Sequence, residues 1–258
     1  MILITQPRVG KSANEIIALQ MAAESLGWEV LPATYGWRLE DELINSGKVG
    51  VPYGSWTFCE VIAQQMNWKL KRNAFDWLAS LPEEYLKRKV EFMTLGEAKK
   101  ITERKFIKPA DDKCFDAKVY EPGEFKPHEV VADDYPTLVS EPVKFTHEYR
   151  CFVSDFKVRT WSNYIYEDNL AEPAFWEKVP DGLTPPHEFV QEMLLDIGTW
   201  WGCPDSIYNT TASVIDVGYI PGKGWAIIET NECFASGLYG CDPVEAVKVM
   251  GAACERIS

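Results

Sequence analysis

Asp216, Glu229 and Asn231 place three oxygen-bearing side chains in a stretch that is otherwise apolar, residues 214–231, VIDVGYIPGKGWAIIETN. A turn at residues 221–224 folds this stretch into a β-hairpin. With that loop, Ile220 pairs with Trp225, and counting back sets Asp216 opposite Glu229. Side chains alternate along a strand, so Asn231 shares the face of Glu229 and Asp216 faces both. Two carboxylates held this close repel each other unless a cation lies between them. An all-oxygen set with few protein ligands suits Mg²⁺, which is usually bound together with a phosphate. The residues therefore point to Mg²⁺-nucleotide chemistry. The plain alternative is the solvated face of an antiparallel hairpin. Like charges directly opposite destabilise such a hairpin, and the flanking residues are too apolar for a wet face, so the metal reading is preferred.

A second set lies upstream. Residues 105–109, KFIKP, read as a strand that carries Lys108; a polar loop follows at 110–116, and residues 117–120 read as the returning strand. A loop ringed by Lys108, Lys113 and Lys118 can fold over a triphosphate and neutralise it. A solvated charged hairpin fits the same residues equally well. The extended linker 139–143, VSEPV, contains Glu141 and Val143 and can offer backbone groups to an adenine edge, while Glu148 can accept from ribose hydroxyls. Arg150 shares a strand face with Glu148, and Arg159 opens the next strand. If those strands pair antiparallel, both guanidinium forks point to one place and suit a phosphoryl group. The alternative is that each arginine pairs with a surface carboxylate.

These residues need elements to hold them. Residues 2–5 read as an apolar strand, and Ser12-x-x-Glu15 reads as a capping box opening a helix to about Leu26. Strands at 29–32 and 49–51 and a helix at 57–66 complete a small α/β unit over residues 1–95. Gly10-Lys11-Ser12 is not a phosphate-binding P-loop, because Thr5 stands where that motif needs its first glycine. Residues 82–100 read as charged and helical, with Thr94 and Glu97 forming another capping box, and the domain boundary is placed there. Beyond it strands dominate, at 137–139, 149–153, 158–166 and the hairpin 212–231, with one helix at 188–197.

Composition narrows the classes. The chain has 258 residues, 46% of them hydrophobic, enough for a substantial core. No apolar run approaches the roughly eighteen residues of a membrane helix, and no signal-peptide pattern opens the chain, so a soluble, cytoplasmic protein is expected. The 7 cysteines are scattered, never spaced CxxC, and read as free buried thiols. A net charge of −13 argues against non-specific nucleic-acid binding. The 3 histidines lie near neither a Ser-x-Gly elbow nor one another, which leaves little room for a catalytic triad or a histidine metal site.

In order, FIKP, LVSEPV, EYR, VID and IIETN resemble the ATP-grasp superfamily, and within it a clade of phage and bacterial members named for two arginines and a lysine. The resemblance covers about residues 90–245, and the N-terminal unit is similar to the family's smaller preceding domain. It implies an ATP-grasp fold of mixed α+β and α/β type: a pre-ATP-grasp domain at 1–95 and an ATP-grasp domain at 96–258. The latter would divide into a lid subdomain at about 96–140 and a metal-binding subdomain at about 141–258.

By the same resemblance, Lys108 binds the α-phosphate side of ATP. Glu141 sits at the adenine hinge, Glu148 holds the ribose, and Asp216, Glu229 and Asn231 coordinate Mg²⁺. In related tubulin–tyrosine-ligase-like enzymes an acidic residue two before an arginine, and a second arginine on the next strand, surround the ribose and γ-phosphate; Glu148, Arg150 and Arg159 resemble that arrangement. Two departures stand out. Val214 occupies the position where many ligases of the superfamily carry a catalytic arginine, and the loop 110–116 lacks glycine. The implied activity is an ADP-forming carboxylate–amine ligase working through an acyl phosphate, on small-molecule or peptide substrates. A small-molecule phosphotransferase and a non-catalytic Mg-nucleotide module are the alternatives. Trp161, Tyr164 and Tyr166 read either as core or as an acceptor pocket, and residues 234–240 as the place where a substrate group approaches.

Overall fold

A computed structural model describes residues 1–7, 11–34, 36–111, 113–167, 169–200 and 212–257. The N-terminal module is a parallel sheet in which the strand Ile2–Thr5 lies between Glu29–Pro32 and Gly50–Tyr53. Parallel neighbours need crossovers, and the helix Lys11–Ser25 supplies the first. The expected opening of that helix is corrected. It begins ahead of Ser12, and Glu15 accepts instead from the backbone N–H groups of Leu238 and Tyr239.

The end of the chain returns to this module. The helix Pro243–Ala252 packs against Lys11–Ser25, and the strand Cys254–Arg256 pairs with Trp68–Leu70. Ala246, Val247 and Met250 share one core with Ile2, Leu3, Leu19 and Phe58. Residues 243–256 therefore complete the first hydrophobic core, far from it in sequence.

A four-stranded antiparallel sheet follows, in the order Val90–Thr94, Pro136–Ser140, Lys105–Pro109, Lys118–Tyr120. The expectation of helix through 82–100 is corrected here, since residues 90–94 form its first strand and only short helices flank them. The break expected at 95 thus falls inside this sheet. The Thr94–Glu97 capping box forms as expected.

The third sheet positions the charged residues. Its antiparallel order is Asn169–Leu170, Lys157–Tyr166, His147–Ser154, Ala212–Ile220, Gly224–Asn231. The helix Pro186–Trp200 covers one face, burying Val190, Met193 and Leu194 against Tyr149, Cys151, Ile215 and Val217. The alternate residues Phe152 and Val214 face the other way, into the N-terminal core. Truncating a wholly buried side chain such as Phe152 costs about 3–5 kcal/mol. Further along that second face the apolar residues give way to Glu148, Arg150 and Asp216.

Among the described cysteines all are free, and all but Cys114 are buried; Cys203 lies outside the described residues. No helix among the described residues is long and apolar enough to cross a membrane.

Candidate functional site

The hairpin register comes out as expected at the site, by a different route. Ile220 pairs with Gly224 rather than Trp225, so the loop is one residue shorter, and Val217 faces Ile227. A bulge at Ile228 then restores the count and sets Asp216 opposite Glu229. Asn231 Nδ2 stands 3.2 Å from Asp216 Oδ2 and 3.0 Å from Glu229 Oε1, so the three side chains converge.

Each carboxylate already has a cation. Arg150 lies directly across from Asp216 on the neighbouring strand and donates Nε to Oδ1 at 2.9 Å and Nη2 to Oδ2 at 2.7 Å. Its third donor, Nη1, meets the Gly237 carbonyl at 3.0 Å, and the rings of Tyr239 and Tyr164 flank it at 4.8 and 5.6 Å. The segment bearing Gly237 is tied to the N-terminal module, where Tyr53 donates to the Ser236 carbonyl. Lys108 pairs with Glu229 from the four-stranded sheet. Burial pushes the Asp216 carboxyl up from the ordinary aspartate range against the pull of Arg150. Burial would lower the Arg150 guanidinium, but the Asp216 charge and hydrogen bonds reverse that and raise it. The two-bond fork holds the pair in its ionised state. At Glu229 burial works upward too, yet Lys108 and Asn231 bring the group below its usual value.

Two cavities meet at Lys108 and Glu229, which line both. The smaller, about 280 Å³, is lined by Val90, Phe106, Glu141, Val143, Phe145 and Glu148, among others. Gly218 permits one of its walls, since a Cβ there would stand 2.5 Å from the Phe145 ring. Glu141 ties the linker to the preceding segment, accepting from Lys89 N–H with its side chain and donating its own N–H to Lys89 O, both at 3.1 Å. Glu148 accepts from Tyr164 Oη at 2.6 Å. The larger cavity, about 650 Å³, holds Lys113, Arg150, Asn231 and the wall formed by residues 235–237 and Tyr239.

Two candidates fall elsewhere. The strands bearing Arg150 and Arg159 do pair antiparallel, but the residue opposite Arg150 is Ser162. Arg159 sits in a bulge beside the turn, where it donates to Ser154 Oγ at 2.9 Å and Asp155 Oδ2 at 2.8 Å. It is a surface ion pair, and the expected convergence with Arg150 is not found. Lys118 pairs with Glu124 at 3.2 Å and lies over the Tyr120 ring, away from both cavities; the preceding residue, Ala117, lines them instead. Of the three lysines around the loop, Lys108 and Lys113 face the cleft.

Sequence reasoning misses Arg88. Arg88 is buried beside the smaller cavity, donating to the carbonyls of Leu86, Ile227 and Ile228. No carboxylate pairs with it among the described residues, and burial pushes its guanidinium down to about 10. In sequence it stands among Lys87 and Lys89 and reads as one more surface charge.

The donor set fits a hard cation. Among the described residues no three carboxylate, histidine or cysteine side chains cluster, so the set is two carboxylates and an amide. Rotating the Asn231 amide presents its oxygen and withdraws its donor from Asp216 Oδ2 and Glu229 Oε1, after which each carboxylate oxygen keeps a lone pair beyond its arginine or lysine donor. Residues 85–249 match the model of an ATP-grasp domain family, the second family of the clade named for two arginines and a lysine. The chain is an ATP-grasp protein. ATP and Mg²⁺ are the nucleotide and metal of this family, and its chemistry is ligation. The fold agrees with the crystal structure of D-cycloserine synthetase DcsG, at a TM-score of 0.55, 12% identity, and coverage of 97% of this chain and 99% of that one. It also agrees with ATP-grasp ligase PsnB in complex with precursor peptide PsnA2 and AMPPNP, at a TM-score of 0.50, 10% identity and 97% coverage of both chains. No curated protein matches by sequence.

Proposed function

We propose that this ATP-grasp protein is an ADP-forming ligase that joins a carboxylate to an amine through an acyl phosphate. One observation carries the reading. A small, largely apolar cavity opens at Lys108 and Glu229 onto a larger polar one lined by Arg150, Lys113, Glu229 and Asn231, with Asp216 buried directly behind Arg150 and Asn231. That is the shape of a base pocket leading to a polyphosphate and a second substrate.

Phe106, Phe145 and the linker with Glu141 and Val143 hold the base, and Glu148, oriented by Tyr164, accepts from ribose hydroxyls. Lys108 turns from Glu229 to phosphate. Asp216, Glu229 and Asn231 hold Mg²⁺, which when bound neutralises charge on phosphate oxygens. Arg150, fixed through its fork by Asp216 and through Nη1 by the Gly237 carbonyl, turns the remaining N–H groups of its terminal nitrogens toward the transferring phosphoryl group. A substrate carboxylate approaching along residues 235–237 attacks the γ-phosphorus and ADP departs. An amine nitrogen then attacks the acyl carbon, releasing phosphate and a proton. The acid and the amine are small molecules or peptide termini that reach this cavity.

A phosphate-release screen with MgATP tests the reading, using panels of carboxylates and amines singly and in pairs. ADP formation that needs a carboxylate and rises with an amine supports it. A stable phosphorylated product would make the protein a phosphotransferase, and MgATP binding without turnover in any pair would leave a binding module.

A further inference from the structure

Arg72 lies outside the matched domain, in the segment leading from the N-terminal module toward the four-stranded sheet. Its guanidinium sits 4.2 Å from the Trp56 ring centroid and 5.1 Å from that of Phe75, so two aromatic faces set its position. From there it reaches two carboxylates on different elements, Glu232 through Nε at 3.1 Å and Asp111 through Nη2 at 2.8 Å. Glu232 directly follows Asn231. Asp111 belongs to the loop after Lys108, and Lys113 in the same loop lines the 650 Å³ cavity that Arg72 also borders. One side chain thus joins the N-terminal module, the end of the metal hairpin and the loop on the opposite wall.

That loop has no glycine between positions 110 and 116, so the backbone cradle that glycines allow over a phosphate is not open to it. Its placement falls to side-chain anchors. A partly exposed ion pair adds little to stability, and the consequence of this one is where it puts the loop. Because the donors of Arg72 that meet Asp111 and Glu232 are committed, its own fork is not presented to a ligand.

We propose that Arg72 is a positioning residue which, through Asp111, holds the loop so that Lys113 faces the polyphosphate of bound ATP. The inference rests on the MgATP reading of the cleft. Calorimetry with MgATP and with adenosine, on the whole protein, tests it in Arg72→Gln, Asp111→Asn, Lys113→Ala and the Arg72→Gln/Lys113→Ala pair. Arg72→Gln and Asp111→Asn should each weaken MgATP about tenfold, the scale of one charge-assisted contact, and leave adenosine binding and melting temperature unchanged. In the Lys113→Ala background, Arg72→Gln should cause no further loss. Full MgATP affinity in Arg72→Gln, an additive loss in the double variant, or equal losses for MgATP and adenosine would each overturn the assignment. If Arg72→Gln fails to fold, Asp111→Asn carries the test, because it leaves Arg72 on its aromatic faces and on Glu232. Wild-type protein without MgATP affinity would instead remove the nucleotide reading itself.

Discussion

The hairpin formed by His147–Ser154 and Lys157–Tyr166 contains two bulges and an arginine toward each end. Beside the turn, the bulge at Arg159 aims that side chain at Asp155, where both groups meet solvent. Toward the open end, the bulge between Asn163 and Ile165 aims Tyr164 at Glu148, and Arg150 is buried on Asp216. The same residue type on the same pair of strands is thus used in two ways. An exposed pair costs little to form and has little effect when removed. A buried pair carries a desolvation penalty that apolar residues of the same shape would avoid, and breaking it leaves an uncompensated charge. Depth and register separate the two arginines; their spacing in sequence does not.

The largest effects are expected at the buried end. Asp216→Asn or Glu229→Gln should abolish turnover of MgATP, a loss of about a thousandfold or more, as expected when charge stabilisation of a phosphoryl transfer is removed. Phosphate release with a productive carboxylate–amine pair measures it. Crowded carboxylates suggest from sequence that removing one would relieve repulsion without Mg²⁺. The structure reverses that sign for Asp216, because its loss strands Arg150, and breaking a buried pair costs about 3–5 kcal/mol. A melting temperature that rises in Asp216→Asn would refute the buried pair.

The two arginines themselves come next. Arg150→Lys should retain most of the MgATP affinity while turnover falls by about a hundredfold, since lysine cannot reproduce the two-bond fork. Arg159→Lys should change both by less than about twofold, as for other surface pairs. Single-turnover kinetics beside equilibrium binding separates the outcomes. Similar losses in both variants would break the contrast between the two ends.

Arg88 sharpens the contrast with a third environment, buried against carbonyls and the Phe145 ring with no carboxylate partner among the described residues. Arg88→Met should lower stability by about 1–3 kcal/mol, because carbonyls of Leu86, Ile227 and Ile228 lose a charged donor. Urea denaturation measures it. An unchanged midpoint would mean that water replaces the guanidinium at little cost.

What sequence can show follows from this contrast. Strand alternation and an apolar background make Asp216, Glu229 and Asn231 legible, and the count survives because a bulge at Ile228 offsets a loop one residue shorter than expected. Arg159 is displaced by a bulge that leaves no mark in the sequence. Lys118 points elsewhere because a short strand of mixed polarity gives no sign of which side is wet. The parallel N-terminal module is legible from its alternating strands and helices. Its completion by residues 243–256 is not, because a packing partner across nearly the whole chain leaves no local pattern. Val90–Thr94 reads as helix because the lysines and glutamates around it outweigh a five-residue strand on the edge of a sheet. Arg72 and Arg88 sit beside lysines; burial distinguishes Arg88 from a surface charge, and only its contacts with Trp56, Asp111 and Glu232 distinguish Arg72.

The smallest expected effect also separates the ends of the hairpin. His147 opens the buried end, its ring edge-on to Tyr166 and its Nδ1 2.9 Å from Thr146 Oγ1. Burial lowers its pKa from 6.5; Glu167 works against that shift and Lys178 with it. A histidine lowered in the folded state binds its proton more readily when unfolded. Its contribution to stability is therefore fully present above pH 6.5, declines as the pH falls below that value, and levels off once the folded protein also takes up the proton. A single group bounds the slope at about 1.4 kcal/mol per pH unit. His187, also lowered by burial, adds to the same slope and is left in place. His147→Phe keeps the ring and removes one titration, so the loss of stability between pH 7 and pH 5 should shrink by about 1 kcal/mol or less. Asp155→Asn, at the turn, serves as the surface control. Denaturant midpoints across that range measure both, and a His147→Phe profile parallel to wild type would show that this histidine is solvated in the folded protein.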